Sequence, residues 1–158
     1  MLHHVSFPVR DPSRAARVCA DLLRGRAVTA PVPPFPAGSW FVLQGDDVGT
    51  LIELTPWGSI LAPTIEGIGQ DPEMRPHSGS HVLAGTPLSR RQVLAAAQRL
   101  SLVAALVDAR LFEFIKIWVE DSFLLELLTP EQQPAYRSVF GMDPRATDQR
   151  LRALEGRA

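Results

Sequence analysis

The sequence predicts an α+β fold built from two tandem βαβββ modules. Strand-like and helix-like segments follow one another in the same order in both halves of the 158 residues. Each half ends in a similar apolar stretch that contains a glutamate, LIELTP at 51–56 and LLELLTP at 124–130. The two glutamates also follow a histidine, His4 or His81, at nearly the same interval. Two copies of one supersecondary unit explain these coincidences.

The first module is predicted to span residues 1–57. It opens with a strand at 2–9, followed by a helix that begins after Asp11 or Ser13 as N-cap and ends at Gly25. The stretch APVPPFPAG comes next and has too many prolines for a central strand. Two further strands are predicted at 39–44 and 50–55, joined by GDDVG as a hairpin turn.

The second module is predicted to span residues 79–130 and repeats this pattern. A strand at 79–85 precedes a helix at 87–100 with Ser89 as its cap. Strands at 102–108, 112–120 and 123–129 follow.

Two segments lie outside the predicted modules. The linker 58–78 is rich in Pro and Gly, which predicts a loop with at most one helical turn. The tail 131–158 contains two short helical patterns. Its last, charged pattern fits either a solvated cap or an interface element.

The composition argues against several classes of partner. A formal net charge of −1 indicates no basic surface, so we expect neither nucleic acid nor a membrane as partner. The N-terminal residues lack a signal-peptide core, and no apolar run is long enough to span a bilayer, so a cytoplasmic location is expected. Cys19 is the only cysteine, which excludes an intrachain disulfide.

Strand alternation places the glutamates on the mixed face of their strands. Ile52 and Leu54 flank Glu53, and Leu125 and Leu127 flank Glu126. The flanking residues form an apolar face that would pack under a helix. An unpaired carboxylate buried on the other face is costly, and a divalent cation removes that cost. We therefore expect the two glutamates to meet two imidazoles, one Glu and one His from each half, around one metal ion.

The segments HHVSFPVRDPSRAARVCADLL and IELTPWG resemble the vicinal oxygen chelate superfamily, which includes glyoxalase I, extradiol dioxygenases, and fosfomycin- and bleomycin-resistance proteins. The resemblance covers most of residues 2–129. It implies that the two modules form a cupped open barrel around a metal, assembled either within one chain or across two. Both ligand pairs are present in this chain, so a complete site within one chain and a homodimer are both open. By position it implies the ligands His4, Glu53, His81 and Glu126. His3 is the competitor for His4, and His77 is a weaker one for His81.

Two imidazoles and two carboxylates suit Fe²⁺, Mn²⁺, Ni²⁺, Co²⁺ or Zn²⁺, and the sequence does not choose among them. The resemblance implies a small substrate with vicinal oxygens. In an isomerase or lyase, Glu126 or Glu53 would remove a proton alpha to a carbonyl. An extradiol dioxygenase would use His4, His81 and Glu126 alone. A third alternative is a protein that binds a drug or metabolite without chemistry.

Three side chains are candidates for substrate contact. Phe114, Lys116 and Trp118 share one strand face, so Lys116 and Trp118 line the cup if the other face packs on the helix. Lys116 is suited to a substrate carboxylate or phosphate, and is otherwise a solvated strand lysine. Trp40 is a further candidate, with a place in the core as the alternative.

Overall fold

Two consecutive βαβββ modules make up the chain, as the sequence predicts. The computed structural model describes residues 3–32, 35–47, 49–60, 68–71, 73, 81–120, 122–141, 147 and 149. The first module contains β1 (His4–Val9), α1 (Pro12–Leu23), β2 (Arg26–Thr29), β3 (Trp40–Leu43) and β4 (Leu51–Pro56). The second contains β7 (His81–Gly85), α2 (Arg90–Arg99), β8 (Val103–Asp108), β9 (Glu113–Glu120) and β10 (Phe123–Leu128).

Both modules fold into four-stranded sheets of the same topology. The strand orders are β1-β4-β3-β2 and β7-β10-β9-β8. In each sheet the first strand pairs in parallel with the last, and the other neighbours are antiparallel. The internal repeat is therefore a repeat of structure. The sequence analysis did not place β2, a short edge strand next to the proline-rich stretch.

The helices begin where polar side chains can cap them. Asp11, not Ser13, caps α1, because its carboxylate accepts a hydrogen bond from the backbone of Arg14 and Pro12 occupies the first turn. Ser89 caps α2 as predicted, and it forms a capping box with Gln92.

The end of α1 differs from the prediction in one residue. Arg24, not Gly25, adopts the left-handed conformation that ends the helix, with φ of 58°. Gly25 is needed for a different reason, since a Cβ atom there would lie 2.6 Å from the carbonyl oxygen of Leu43. The glycine thus allows the chain to pass close to β3 as it enters β2.

The linker and the tail hold three further elements. Instead of a helical turn, the described part of the linker contains a small antiparallel pair, β5 (Ser59–Ile60) and β6 (Gly69–Gln70). The helix α3 (Gln133–Phe140) covers part of the first helical pattern predicted in the tail. Of the second pattern, only residues 147 and 149 are described, both helical.

One hydrophobic core joins the two modules. Leu54 and Val42 of the first sheet belong to the same buried cluster as Ile117 and Leu125 of the second, and α1 lies among them with Leu22. Because side chains alternate along a strand, Glu53 and Glu126 lie on the opposite surface of their sheets. We call that surface the glutamate face of each sheet.

The end of β1 is tied to the second module through the turn between β9 and β10. The backbone nitrogens of Arg10 and Asp11 donate to the carboxylate of Glu120 at 2.7 and 2.9 Å. The rings of Phe7 and Phe123 stack nearby, with centroids 4.7 Å apart. The carboxyl end of β1 therefore meets the amino end of β10, and hence that of its parallel neighbour β7.

Candidate metal centre

The first half of the centre is a histidine and a glutamate on adjacent parallel strands. His4 pairs with Leu51, and Glu53 lies two residues further along β4 on the same face. His4 is exposed, whereas Glu53 is 6% exposed. Its Oε1 atom is buried and has no hydrogen-bond partner among the described residues. The cost of such a carboxylate falls if a cation lies beside it.

The second half repeats this register with one addition. His81 pairs with Leu124, and Glu126 again lies two residues further along. The Nε2 atom of His81 is 3.6 Å from Glu126 Oε2, and the Nζ atom of Lys116 is 3.9 Å from Glu126 Oε1. Glu126 is buried, while His81 and Lys116 remain partly exposed. This glutamate therefore already has a cation beside it.

The two histidines, not the two glutamates, lie toward opposite ends of the strands β1 and β7, because Glu53 and Glu126 pair with the mid-strand residues Ser6 and Leu83. Residues 3–5 and residues 82–85 line one cavity of about 340 Å³. Because the carboxyl end of β1 meets the amino end of β7, His4 lies toward the Gly85 end of β7. His81 lies at the other end of that strand, near the turn that contacts Arg10. The five residues of β7 span about 13 Å. Within the described residues, no three His, Cys, Asp or Glu side chains gather closely enough to hold one metal ion.

The predicted substrate contacts fall on different faces of the sheets. Lys116 and Trp118 pair with Glu126 and Leu124 on the glutamate face, as predicted. Trp40 pairs with Leu54 instead, packs against the core, and has the guanidinium of Arg17 5.6 Å from its ring centroid. Trp40 is therefore a core aromatic and lies outside the candidate centre.

The structure describes only one of the two histidines that compete with His4 and His81 as ligands. His3 lines the cleft and precedes the first residue of β1. His77 lies outside the described residues. The assignment of His4 and His81 as ligands stays a prediction.

The donor types nevertheless suit a divalent metal. Two imidazoles and two carboxylates are typical ligands of Mn²⁺, Fe²⁺, Ni²⁺, Co²⁺ and Zn²⁺. The buried and unpartnered oxygen of Glu53 is the feature that such an ion would satisfy. The four candidate ligands are therefore of the right chemical types for a divalent metal ion, provided that the two halves are brought together.

Two features of this region are not among the predictions from the sequence. Phe41 pairs with Glu53 where Lys116 pairs with Glu126, so the two halves differ at equivalent positions. Matching the repeats residue by residue along the third strand of each module would have found this difference. The cleft between β1 and β7 had no local signal, because it depends on contacts between residues far apart in sequence.

The two modules and their sheets define the vicinal oxygen chelate fold. No protein-family model and no curated protein matches the chain. Solved structures do match. The fosfomycin resistance protein FosX from Mesorhizobium loti has a TM-score of 0.52 at 17% identity, covering 82% of this chain and 90% of its own.

FosX from Listeria monocytogenes, solved with Mn(II) and 1S,2S-dihydroxypropylphosphonic acid, has a TM-score of 0.54 at 12% identity, covering 80% of this chain and 87% of its own. An integron cassette protein from Vibrio cholerae has a TM-score of 0.53 at 15% identity, covering 82% of this chain and 94% of its own. These likenesses establish the fold. In the described part of the chain, no helix has the length and apolarity to cross a membrane.

Proposed function

We propose that the protein is a divalent-metal-dependent enzyme of the vicinal oxygen chelate type, an isomerase or lyase that acts on a small substrate with vicinal oxygens. The observation that carries the proposal is the matched register of the two halves. His4 and Glu53 occupy the same relative positions as His81 and Glu126. A histidine and a buried glutamate repeated at equivalent strand positions in both modules indicate a shared function, because solvent-exposed polar residues would not need to match.

His4, Glu53, His81 and Glu126 would hold the ion. When bound, a divalent ion acts as a Lewis acid that stabilises negative charge on a substrate oxygen. Glu53 or Glu126 would take the proton alpha to the carbonyl. Leu124 and Leu128 flank Glu126 on its strand and are both buried, so they would limit the access of water to that carboxylate.

The separation of the two halves favours a centre formed by two copies of the chain. His4 begins β1, His81 lies near the other end of that strand, and no three candidate ligands gather within the described residues. A homodimer in which the first module of one copy faces the second module of the other would bring the halves together. Each dimer would then hold two equivalent centres, as expected for a twofold assembly.

The structural neighbours support this function without establishing it. One FosX structure holds Mn(II) and a small dihydroxylated phosphonic acid. A divalent metal and a small oxygenated ligand are therefore compatible with this fold. A cytoplasmic location stays an expectation from the sequence.

Metal analysis tests the proposal most directly. We expect the wild-type chain, purified without chelator and dialysed against each candidate ion, to retain close to one ion per chain, and the Glu126→Gln variant to lose most of it. Glu113→Gln is the matched control, because Glu113 is an exposed carboxylate of β9 that pairs with Arg90. Full metal occupancy in Glu126→Gln would show that Glu126 is not a ligand. The loaded protein should then be screened with 2-oxoaldehyde thiol adducts, catechols and fosfomycin.

A non-catalytic binding protein is the second candidate. The observation that favours it is the absence of a gathered ligand set within the described part of one chain. In that case the protein would hold no metal under any loading condition, and would still bind a small molecule. The dioxygenase alternative is weaker, because Glu53 would lie beside the His4, His81 and Glu126 triad and occupy a position that oxygen or substrate needs.

A further inference from the structure

The two halves of the candidate centre differ in charge. Equivalent strand positions hold Phe41 beside Glu53 and Lys116 beside Glu126. Lys116 is also the only lysine of the sequence, against fifteen arginines. The chain thus places a compact, flexible ammonium at this one point, where a planar guanidinium would have different geometry.

Within the part of the chain that the structure describes, the ammonium of Lys116 has hydrogen-bond donors without a protein partner. It forms an ion pair with Glu126 Oε1 at 3.9 Å, which is too long for a hydrogen bond. It also lies 5.9 Å from the ring centroid of Phe114. With the described residues it forms no hydrogen bond, although an ammonium carries three donors.

The surroundings of Lys116 form an apolar frame around these donors. On β9, Phe114 and Trp118 lie on either side of Lys116 on the glutamate face, and Ala105 of β8 lies beyond it. Trp118 is half-buried and Phe114 is buried. Lys116 itself keeps a side-chain exposure of 38%, so a ligand can reach it.

The charges of the proposed centre do not cancel. If bound as proposed, a divalent ion would balance the carboxylates of Glu53 and Glu126, and imidazoles that ligate a metal are neutral. The ammonium of Lys116 then leaves one positive charge beside an apolar frame. A ligand with one negative charge removes this imbalance.

Resting on the proposed function, we propose that the substrate carries an oxyanion group, a carboxylate or a phosphonate, that binds Lys116 on the β9 side of Glu126. His81 lies on the other side of Glu126, on β7. The anion and the vicinal oxygens of the substrate would therefore occupy neighbouring positions on the same glutamate face. Lys116 acts in substrate selection, and no proton transfer is assigned to it.

Calorimetric titration of the full-length protein with simple anions tests this assignment. Methylphosphonate and acetate are the two probes, acetamide is the neutral isostere of acetate, and each is titrated into metal-loaded and metal-free protein. We expect one of the two anions to bind the wild type about tenfold or more tightly than Lys116→Met, because a charge-assisted hydrogen bond is lost. The probe that shows this difference identifies the anion class. Acetamide should not distinguish the two proteins.

Three controls separate a binding role from other effects. Arg91→Met removes an equal charge from the exposed surface of α2 and should leave anion affinity unchanged. Lys116→Arg keeps the charge and should bind the anion more tightly than Lys116→Met but less tightly than the wild type, because the planar guanidinium has a different geometry. Lys116→Met should also hold as much metal as the wild type. If it loses the metal while its unfolding transition is unchanged, Lys116 positions Glu126 and the anion assignment is wrong.

The result also separates this inference from the proposed function. Equal anion affinity of the wild type and Lys116→Met, with metal bound to both, overturns the anion site and leaves the metal enzyme intact. If the wild type binds no metal, the titrations on metal-free protein show whether the anion site exists without the metal. If anion affinity then differs between the wild type and Lys116→Met, the anion site is supported and the metal enzyme is not. If the two affinities are equal, both proposals are wrong.

Discussion

Glu53 and Glu126 occupy the same register position in their two sheets, each two residues beyond the strand partner of a histidine. Their surroundings differ, because one oxygen of Glu53 is buried without a partner and Glu126 lies between His81 and Lys116. The two carboxylates thus occupy equivalent positions in the fold but have different charged neighbours. The two histidines that accompany these glutamates lie toward opposite ends of β1 and β7, so a shared centre needs more than the contacts described within one chain.

Mixing two defective variants should restore metal binding if the centre forms between two copies. One variant carries His4→Ala and Glu53→Gln, and the other carries His81→Ala and Glu126→Gln. In a mixed dimer, the intact second module of the first variant meets the intact first module of the other, so one complete centre forms. We expect each variant alone to bind almost no metal. In the refolded mixture, each mixed dimer should bind up to about one ion, which is about half an ion per chain of that dimer.

The control for this experiment is a mixture of the first variant with itself, refolded in the same way. A centre formed within one chain predicts no recovery in either mixture. Size-exclusion chromatography with light scattering should accompany the metal analysis, since a monomeric wild type would also contradict the assembly.

Much of the fold could be predicted from the sequence, because local patterns fix it. Alternation on either side of Glu53 and Glu126 separated the core face from the glutamate face, and the core contains Leu54 and Leu125 as expected. Cap residues fixed the start of both helices, Ser89 without ambiguity. The order of elements along the chain followed from the repeat, whereas the order of strands within each sheet and the strand β2 were not predicted.

The relation between the modules could not be predicted, because no local pattern encodes it. Contacts such as that of Glu120 with Arg10 join residues more than one hundred positions apart. They determine that His4 and His81 lie toward opposite ends of β1 and β7. The sequence left Trp40 open between a pocket and the core for a related reason. An aromatic residue at a strand end suits either place, and the pairing with Leu54 puts it against the core.

The junction of α1 and β2 predicts opposite effects for two adjacent glycine substitutions. Arg24→Gly should raise the free energy of unfolding by up to about 1 kcal/mol, because Arg24 holds the left-handed conformation that disfavours side chains. Gly25→Ala should lower it by about 1–3 kcal/mol, because the added methyl would meet the backbone oxygen of Leu43. Urea titration followed by circular dichroism measures both. Arg24→Ala is the control, and should change stability little because it keeps the strained backbone.

Cys19 should be inert in the folded protein. Complete burial raises the pKa of its thiol to about 12, so the reactive thiolate is scarce at neutral pH. We expect no reaction with Ellman's reagent at pH 8 without denaturant and one thiol per chain in urea. Rapid labelling of the folded protein would contradict the burial of Cys19.

The same shift predicts a dependence of stability on alkaline pH. The thiol is protonated in the folded state above the pH at which the unfolded chain releases the proton. Its contribution to stability is therefore complete below about pH 9 and is lost as the pH rises toward about 12. Cys19→Ala should show a shallower decline in the free energy of unfolding over this interval, although its stability at pH 7 is lower because of the cavity. Parallel slopes would show that the thiol does not titrate differently in the two states.

Glu120 should be the surface carboxylate that matters most for joining the modules. Its two oxygens accept hydrogen bonds from consecutive backbone nitrogens, Arg10 and Asp11, at the start of α1. These donors would otherwise depend on water, and the carboxylate lies where the helix dipole favours negative charge. We expect Glu120→Ala to lower the free energy of unfolding by about 1–2 kcal/mol.

Glu113→Ala is the matched control for Glu120→Ala, because Glu113 lies on the same strand and, among the described residues, its carboxylate pairs only with the exposed side chain of Arg90. Exposed pairs of this kind contribute between about 0 and 1 kcal/mol, so its removal should cost clearly less. Hydrogen exchange adds a spatial test. In Glu120→Ala the amides of Arg10 and Asp11 should exchange faster, while those of β3 keep their protection. Equal losses in the two variants would show that the backbone contacts of Glu120 do not hold the modules together.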